Sequence, residues 1–576
     1  MSDSSSSSSL ELVPNPRRLM FGGGSAPLDA RPAETQSRSL PAQGFELTID
    51  GGVRIAYADD AGLRYARGLL DQIRSQSTGM LPGLRARDWP DFPVRSYMLD
   101  ISRDRVPTRE TLERIVDLLT LVRINELQLY TEHTYAFRDH KIVWRDASPM
   151  TPDDIRWLDK LCIGRGIDLV PNQNCFGHMN RWLMHDAYRS RAECPEGSKA
   201  PWGAELPPWT LAPTEENARF ALDLFNELLV NFSSNRVNIG CDEPFDLGQG
   251  VSQEEVERRG KTEVYLEHLE RIARPLVKNG YEVLVWGDIL REDPALAAKV
   301  LPDGVTAVPW HYEQVWPEEL RAQVPEQALQ ALAQLDQDPL DGFRAQMEAL
   351  AGIDIPIEIA PGTATWNSLI GRIDNAYGNL VDAALQGREF GAKGFLITDW
   401  GDNGHHQPPI ISYPPIVYGG AVSWCLEANR SLDVANVLDT LVLDQPMGQQ
   451  LDAIGRLWSQ TGQLAFNGSP IFRGLVPRST MSFGEINPSR CNRVIELLDE
   501  VMHGTPTEIY AACRLARHGV WRMLRHIDAE RPDDAALRSD LGEAIELQRE
   551  AWLAVSRPGG LNDSIGRLER SLAEYG

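Results

Sequence analysis

The sequence predicts an α/β protein: a (β/α)8 TIM barrel between a small N-terminal α+β domain and a C-terminal helical domain. Short apolar segments alternate with amphipathic helices from residue 94 to about residue 400, as in a parallel barrel. No glycine-rich phosphate loop follows the first strand, which disfavours a doubly wound open sheet. The expected divisions are a disordered leader (1–42), the α+β domain (43–90), the barrel (91–431) and the helical domain (432–576).

The first ninety residues divide into a leader and a small domain. Residues 1–42 are rich in Ser, Pro, Gly and Arg and lack periodicity, which is typical of disorder. Residues 45–49 and 53–57 alternate between apolar and polar side chains around the turn at 50–52, which predicts a β-hairpin. A helix from Leu63 to Ile73 follows, so residues 43–90 are expected to form an α+β unit.

The barrel prediction depends on a regular succession of strands and helices. The strand candidates are 94–101, 125–131, 167–172, 235–241, 282–287, 304–310, 355–361 and 393–400. Amphipathic helices separate most of them, for example Thr108 to Val122, Pro152 to Arg165, Thr214 to Asn231 and Thr262 to Lys278.

After about residue 432 the strands are expected to stop. Residues 446–463, 490–504, 506–528 and 534–556 have the apolar spacing of helices. The simplest role for this helical domain is a cap on the barrel or an oligomer interface, so a homodimer is one expectation.

Composition excludes several classes of function. The net charge of −25 argues against nucleic acid and against anionic membrane surfaces, because both need a basic face. The 7 cysteines are scattered along the chain and form no Cys-x-x-Cys motif. This pattern favours free thiols in a reducing compartment. The N-terminal serine run does not resemble a secretory signal, and no apolar stretch is long enough to span a membrane. A cytoplasmic protein is therefore expected.

Catalytic residues of such barrels collect at the carboxyl ends of the strands. The fourth strand candidate ends in two adjacent carboxylates, Asp242 and Glu243, followed by Pro244, which stops the strand. Adjacent side chains on extended backbone point in different directions, so the two acids can approach one ligand from different angles. The alternative is two solvated acids in a turn.

Tryptophan accompanies polar residues at four other strand ends. These residues are Trp286, Trp310, Trp366 and Trp400. Aromatic walls with a few carboxylates and an arginine suit a neutral ligand with many hydroxyl groups, and a sugar is the natural candidate.

These motifs resemble glycoside hydrolase family 20, the β-N-acetylhexosaminidases, and most closely its bacterial intracellular N-acetyl-β-glucosaminidase branch. The similarity extends in order over roughly residues 45 to 430. The segments that carry it are Arg95 to Asp100, Phe176-Gly177-His178, Ile239-Gly240-Cys241-Asp242-Glu243, Trp286-Gly287-Asp288 and Trp400-Gly401-Asp402-Asn403.

The resemblance implies a retaining exo-glycosidase that removes terminal β-linked N-acetylhexosamine, GlcNAc or GalNAc, from oligosaccharides or glycoconjugates. Catalysis in this family is substrate-assisted, so no enzymic nucleophile is needed. Glu243 would be the general acid and then the general base. Asp242 would orient the acetamido group, whose oxygen attacks the anomeric carbon to form an oxazolinium intermediate.

The resemblance also implies a set of substrate-binding residues. Trp286, Trp310 and Trp366 would wall the acetamido pocket, Tyr312 would hold the acetamido oxygen, and Trp400 would lie under the sugar ring. Arg95 and Asp402 would bind sugar hydroxyls, with Glu132 and His178 beneath the catalytic pair. No cofactor and no metal are expected.

Two other functions remain open from the residues alone. A different β-glycosidase could use two separated carboxylates, with Asp288 or Asp402 as the partner of Glu243. A pseudo-enzyme that only binds sugar is the third reading, which the presence of both Asp242 and Glu243 disfavours.

Overall fold

A closed ring of parallel strands forms the centre of the protein. The computed structural model describes residues 10–200, 203–322, 324, 326, 329, 342–477 and 481–576. In chain order the barrel strands are Val94–Asp100, Glu126–Thr131, Asp168–Gln173, Arg236–Asn238, Glu282–Trp286, Val305–Val308, Glu358–Ile359 and Gly394–Asp399. Their spatial order is sixth, fifth, fourth, third, second, first, eighth, seventh, and all described pairs are parallel. Backbone bridges from Ala307 to Ile357 and from Trp310 to Ala360 join the two ends of the sheet. The predicted barrel is confirmed.

Helices lie between the barrel strands and in the loops. Up to the eighth strand they are Arg109–Leu121, Lys141–Trp144, Pro152–Arg165, Asn180–Leu183, Asp186–Arg189, Glu215–Leu229, Gln253–Arg259, Lys261–Lys278, Pro294–Val300, Glu318–Arg321, Gly342–Leu350 and Ile373–Glu389. Three of these helices begin where a threonine side chain accepts a backbone N–H, at Thr108, Thr151 and Thr214. At Thr151 a reciprocal capping box with Asp154 stabilises the first turn.

The N-terminal domain is larger than the sequence predicts. Its sheet has the spatial order Arg18–Phe21, Leu84–Asp88, Phe45–Ile49, Val53–Tyr57 and Ala33–Gln36, and the helix Asp60–Gln76 packs on it. Ala26–Pro27 pairs separately with Met80–Leu81. The predicted disordered leader is therefore wrong for residues 10–42, which supply two strands of this sheet; residues 1–9 lie outside the described residues. The remaining domain boundaries, at 90 and 431, stay predictions.

The C-terminal region is mostly helical and shares its apolar core with the barrel. Its elements are a 3-10 turn Pro409–Ser412 and helices Tyr413–Trp424, Leu426–Asn429 and Val434–Val437, a π turn Leu438–Val442, then Gly448–Gly455, the 3-10 turn Leu457–Ser459, Pro470–Leu475, Pro488–Met502, Thr507–His526, Asp534–Val555 and Leu561–Ala573. Two elements of this region differ from the prediction.

The first departure is an antiparallel strand pair, Leu464–Phe466 with Met481–Phe483, in a region expected to hold helices alone. The second is the final helix, Leu561–Ala573, which the sequence analysis missed. Both elements contribute side chains to the mouth of the barrel. Among the described residues, no helix has both the length and the apolar character needed to cross a bilayer.

Candidate active site

A cavity of about 910 Å³ opens at the carboxyl ends of the barrel strands. The predicted site residues on its wall are Glu132, His178, Asp242, Glu243, Trp286, Trp310, Tyr312, Trp366, Trp400 and Asp402. The barrel therefore brings together residues that are far apart in the sequence, and all of them are at the end where barrel enzymes place their chemistry.

The loop that carries the two central acids has an unusual backbone. Gly240, Cys241 and Glu243 have φ of +70°, +68° and +47°, a left-handed conformation that is costly for residues with a side chain. Specific bonds hold this shape. The Asn174 side chain accepts the N–H of Cys241 at 3.1 Å, and the carboxylate of Asp288 accepts the N–H of Glu243 at 3.1 Å. The resulting turn aims Asp242 and Glu243 at the same cavity.

Asp242 is buried and ionised. The amide of Asn174 donates to Asp242 Oδ1 at 2.7 Å, and His178 Nε2 lies 3.2 Å from Oδ2. Burial by itself raises the pKa of Asp242, but the charges of His178 and Arg103 and the bond from Asn174 outweigh it and lower that pKa. Asp242 is therefore a fixed negative charge with one oxygen tied to the protein.

Glu243 is the more accessible acid. Its side chain is 32% exposed, against 9% for Asp242, and its Oε2 lies 3.2 Å from His178 Nε2. The indole of Trp209 donates to the backbone oxygen of Glu243 at 3.0 Å and packs on the His178 ring at 4.7 Å. Glu243 can thus reach a ligand in the cavity while its backbone stays fixed.

His178 lies between the two acids as a cation. Neither 3.2 Å contact has the angle of a hydrogen bond, so the attraction is chiefly electrostatic. Burial lowers the pKa of His178, but Asp242 and Glu243 more than reverse this and raise it to about 10. At Gly177, an added Cβ would lie 2.1 Å from the backbone oxygen of Asp242, so only glycine allows the two loops to meet this closely.

Several other carboxylates that line the cavity have raised pKa values, and Asp288 and Asp402 are two of them. Burial and the negative charge of Asp242 raise the pKa of Asp288 to about 7. Burial also raises the pKa of Asp402, to about 6, although the charge of Arg103 opposes this. Both groups therefore titrate near neutral pH.

Aromatic rings form the wall opposite the acids. Trp310 stacks on Tyr312 with ring centres 5.2 Å apart, and Tyr312 meets the edge of Trp366 at 5.1 Å. Trp400 packs against Trp286 at 5.9 Å. Together with the acids, this wall can hold a sugar by its apolar faces and its polar groups at once.

Arg95 is not in the cavity, and its prediction as a substrate-binding residue is wrong. It lies at the start of the first strand, at the opposite end of the barrel, and is fully buried. Its guanidinium donates to the backbone oxygens of Arg123 and Phe92, at 2.9 and 2.7 Å, and to the Tyr65 hydroxyl at 2.9 Å. With its donors engaged by the protein, it has no access to a ligand.

Arg103, just beyond the end of the same strand, is the arginine that lines the cavity. Its guanidinium lies 3.3 Å from the carboxylates of both Asp100 and Glu132, and 3.3 Å from His178 Nδ1. It also lies over the Trp400 ring at 5.1 Å. The rule that barrel sites lie at the carboxyl ends of strands would have selected Arg103 over Arg95.

Other cavity residues were missed because they lie outside the barrel strands. Trp209 comes from the long loop after the third strand, and Phe466, Asn467 and Arg567 come from the C-terminal region. No pattern in the sequence connects these positions with a site.

His178, Asp242 and Glu243 also form a group that could hold a metal ion, since their ligand atoms lie within 4.8 Å of one another. A metal would have to displace the proton that His178 carries at neutral pH, given a pKa of about 10.

Comparisons with known proteins agree with this geometry. Residues 92–333 match the model of the "Glycosyl hydrolase family 20, catalytic domain". The chain is similar to human "Hexosaminidase D", with 28% identity over 232 residues, which is 38% of this chain and 45% of that protein. It is also similar to a "Beta-hexosaminidase" of Akkermansia muciniphila, with 23% identity over 309 residues, 48% of this chain and 61% of that protein. The chain spans about half the length of the curated relatives it matches.

Solved structures share the fold at low identity. A chitobiase from Flavobacterium johnsoniae has a TM-score of 0.57 and 14% identity, covering 98% of this chain and 99% of that one. A β-N-acetylhexosaminidase crystal structure has a TM-score of 0.56 and 20% identity, covering 75% of this chain and 96% of that one. Family match, barrel and cavity agree: residues 92–333 of this chain are similar to the catalytic domain of glycosyl hydrolase family 20.

Proposed function

We propose that this protein is a retaining exo-β-N-acetylhexosaminidase, which removes terminal GlcNAc or GalNAc from oligosaccharides or glycoconjugates by substrate-assisted catalysis. The observation that carries the proposal is the pairing of a buried, ionised Asp242 with a more exposed Glu243 beside an aromatic wall. The family match and the hexosaminidase relatives support it.

Each acid has a distinct role in this mechanism. Glu243 donates a proton to the glycosidic oxygen as the bond to the leaving group breaks. The substrate's acetamido oxygen attacks the anomeric carbon and closes an oxazolinium ring. Asp242 accepts a hydrogen bond from the acetamido N–H and stabilises its developing positive charge. Water activated by Glu243 then opens the ring and releases the sugar with its configuration retained.

The remaining cavity residues position the sugar. Arg103 takes the role that the sequence analysis assigned to Arg95, and together with Asp402 it binds sugar hydroxyls. Trp286, Trp310 and Trp366 enclose the acetamido group, with Tyr312 close to its oxygen. His178 neutralises part of the charge of the two acids, and Glu132 holds Arg103 in place.

A panel of nitrophenyl glycosides tests the proposal. We expect hydrolysis of the β-GlcNAc or β-GalNAc substrate and none of the β-glucoside, because only the acetamido sugars carry the nucleophile. Asp242→Asn should lower kcat on the acetamido sugars. Activity on the β-glucoside alone would instead support two separated carboxylates, and tight GlcNAc binding without turnover would support a pseudo-enzyme.

Cellular location and assembly are part of the same proposal. All seven cysteines are free in the structure, which supports a reducing, cytoplasmic setting. The homodimer and the place in the bacterial intracellular branch stay predictions. Light scattering coupled to size-exclusion chromatography measures directly whether the protein is a homodimer.

A further inference from the structure

One residue of the C-terminal region reaches the wall of the cavity. Asn467 directly follows the strand Leu464–Phe466, and it lines the cavity together with Phe466. Its φ of +51° is left-handed, a conformation that asparagine tolerates better than most residues. Its side-chain oxygen accepts the indole N–H of Trp366 at 2.7 Å.

The backbone of Asn467 joins two more loops. Its N–H donates to Glu313 Oε1 at 2.9 Å, and its carbonyl oxygen accepts from the Asn367 amide at 3.0 Å. Glu313 is itself fixed by two bonds of 3.0 Å from Arg372. Asn367 in turn accepts from Asn403 at 3.0 Å. Loops that follow the sixth, seventh and eighth strands therefore meet at this residue.

Trp366 transmits the position of Asn467 to the aromatic wall. Its ring packs edge-on against Tyr312, which stacks on Trp310. On its other side it packs against Gly362, where an added Cβ would lie 2.5 Å from the ring. The ring has little room, and its buried N–H would lose its acceptor if Asn467 were removed. A buried donor left without an acceptor is unfavourable, so the ring would shift or admit water.

We propose that Asn467 is a positioning residue, through which the C-terminal region completes the active site. By holding the indole of Trp366, it keeps the aromatic wall in the shape that presents the acetamido oxygen to the anomeric carbon. This inference rests on the proposed function. It gives the C-terminal region a role in catalysis beyond that of a cap or an oligomer interface.

Three variants separate the side chain of Asn467 from its backbone. Asn467→Gly keeps the left-handed conformation and both backbone bonds but removes the acceptor for the indole N–H. Asn467→Asp keeps an acceptor at the same place. Asp528→Gly is the matched control, since Asp528 has a similar φ of +52°, is exposed and does not line the cavity.

We expect Asn467→Gly to lower kcat/KM on nitrophenyl β-GlcNAc about 10-fold, mainly through kcat, which corresponds to a lost hydrogen bond of about 1.4 kcal/mol. Inhibition by the thiazoline analogue of N-acetylglucosamine, which mimics the oxazolinium ring, should weaken by a similar factor. Asn467→Asp should recover most of both losses, and Asp528→Gly should match the wild type.

A double-mutant cycle tests whether Asn467 acts through Trp366. If it does, adding Asn467→Gly to Trp366→Phe, which has no indole N–H, should cause no further loss of kcat/KM. Losses that multiply in the double variant, or an unchanged kcat/KM in Asn467→Gly, would overturn the proposal. Wild-type protein that hydrolyses neither acetamido sugar would instead overturn the proposed function. In that case the NMR shift of the Trp366 indole proton still tests the hydrogen bond to Asn467. The signal is assigned by its disappearance in Trp366→Phe, and it should move in Asn467→Gly.

Discussion

The two ends of the first barrel strand each carry an arginine, and the two serve opposite purposes. Arg95, at the start, is fully buried, and its guanidinium donates to neutral acceptors of the protein. Arg103, beyond the end, is surrounded by the acids Asp100 and Glu132, and its side chain is 19% exposed to the cavity. Arg95 joins the barrel to the N-terminal domain, while Arg103 belongs to a group of charges around an opening.

The difference lies in how each end satisfies its polar groups. At the amino end, Arg95 connects the barrel to Tyr65 of the N-terminal domain and lies over Trp424 at 5.0 Å. At the carboxyl end, His178 and Glu243 have left-handed backbones and charges that face a cavity. The left-handed backbones of His178 and Glu243 therefore lie beside an opening, whereas the guanidinium of Arg95 is satisfied within the protein.

The largest expected effect is at the carboxyl end. Glu243→Gln should lower kcat/KM about 10³-fold on substrates with poor leaving groups, because an amide cannot protonate the glycosidic oxygen as a carboxylic acid does. Thermal unfolding should be unchanged, since Glu243 is partly exposed. Steady-state kinetics and calorimetry on the same sample measure both. A loss of activity that follows a loss of folding would mean that Glu243 is structural.

His178 should make the stability of the protein depend on pH. The pKa of His178 in the folded state is about 10, above the usual value near 6.5. Protonation of His178 therefore stabilises the folded state below pH 6.5, and this contribution is lost as pH rises through 10. The shift corresponds to roughly 5 kcal/mol. The melting temperature of wild type minus that of His178→Gln should therefore shrink between pH 6.5 and 10. A constant difference over that range would show that His178 is neutral.

Replacing Arg95 should affect folding and leave catalysis intact. Arg95→Met removes its bonds to Arg123, Phe92 and Tyr65, and should lower the free energy of unfolding by about 3 kcal/mol. Because these groups are far from the cavity, kcat/KM per folded molecule should stay within about 2-fold of wild type. Denaturant titration and active-site-normalised kinetics check this. Reduced kcat/KM in well-folded protein would contradict the position of Arg95 away from the active site.

Arg103→Gln is the reciprocal variant. Loss of its charge removes the ion pairs with Asp100 and Glu132 and a donor to the sugar hydroxyls, so kcat/KM should fall about 100-fold, mainly through KM. The effect on unfolding should be smaller than that of Arg95→Met, since both carboxylates keep other hydrogen bonds within the protein. If the two variants changed activity equally, the contrast between the two ends would fail.

The barrel could be predicted because its strands are short apolar runs that alternate with well-capped helices. The first strand of the N-terminal sheet could not be predicted in this way. Arg18–Phe21 is an edge strand with largely exposed side chains, so it lacks the alternation that marks a half-buried strand. Its order comes from pairing with Leu84–Asp88, a contact between distant parts of the chain.

The site was predictable where a residue lies at or a few positions beyond the carboxyl end of a barrel strand. Asp242, Glu243 and Trp286 are such residues, and strand direction alone would also have chosen Arg103 over Arg95. Asn467 and Trp209 were out of reach, because one comes from the C-terminal region and the other from a long loop. Their nearness to the cavity depends on tertiary packing, which leaves no local pattern in the sequence.

The N-terminal segment has a consequence for how this protein can change over evolution. The amide of Gln72 both donates to and accepts from the backbone of Val13, at 2.7 and 2.9 Å, and Asn429 does the same with Asn15, at 3.2 and 2.7 Å. Main-chain groups are the same whatever the side chain, so much of this docking is independent of residue identity. The segment can therefore diverge in sequence while keeping its place, and related chains need share no recognisable motif there.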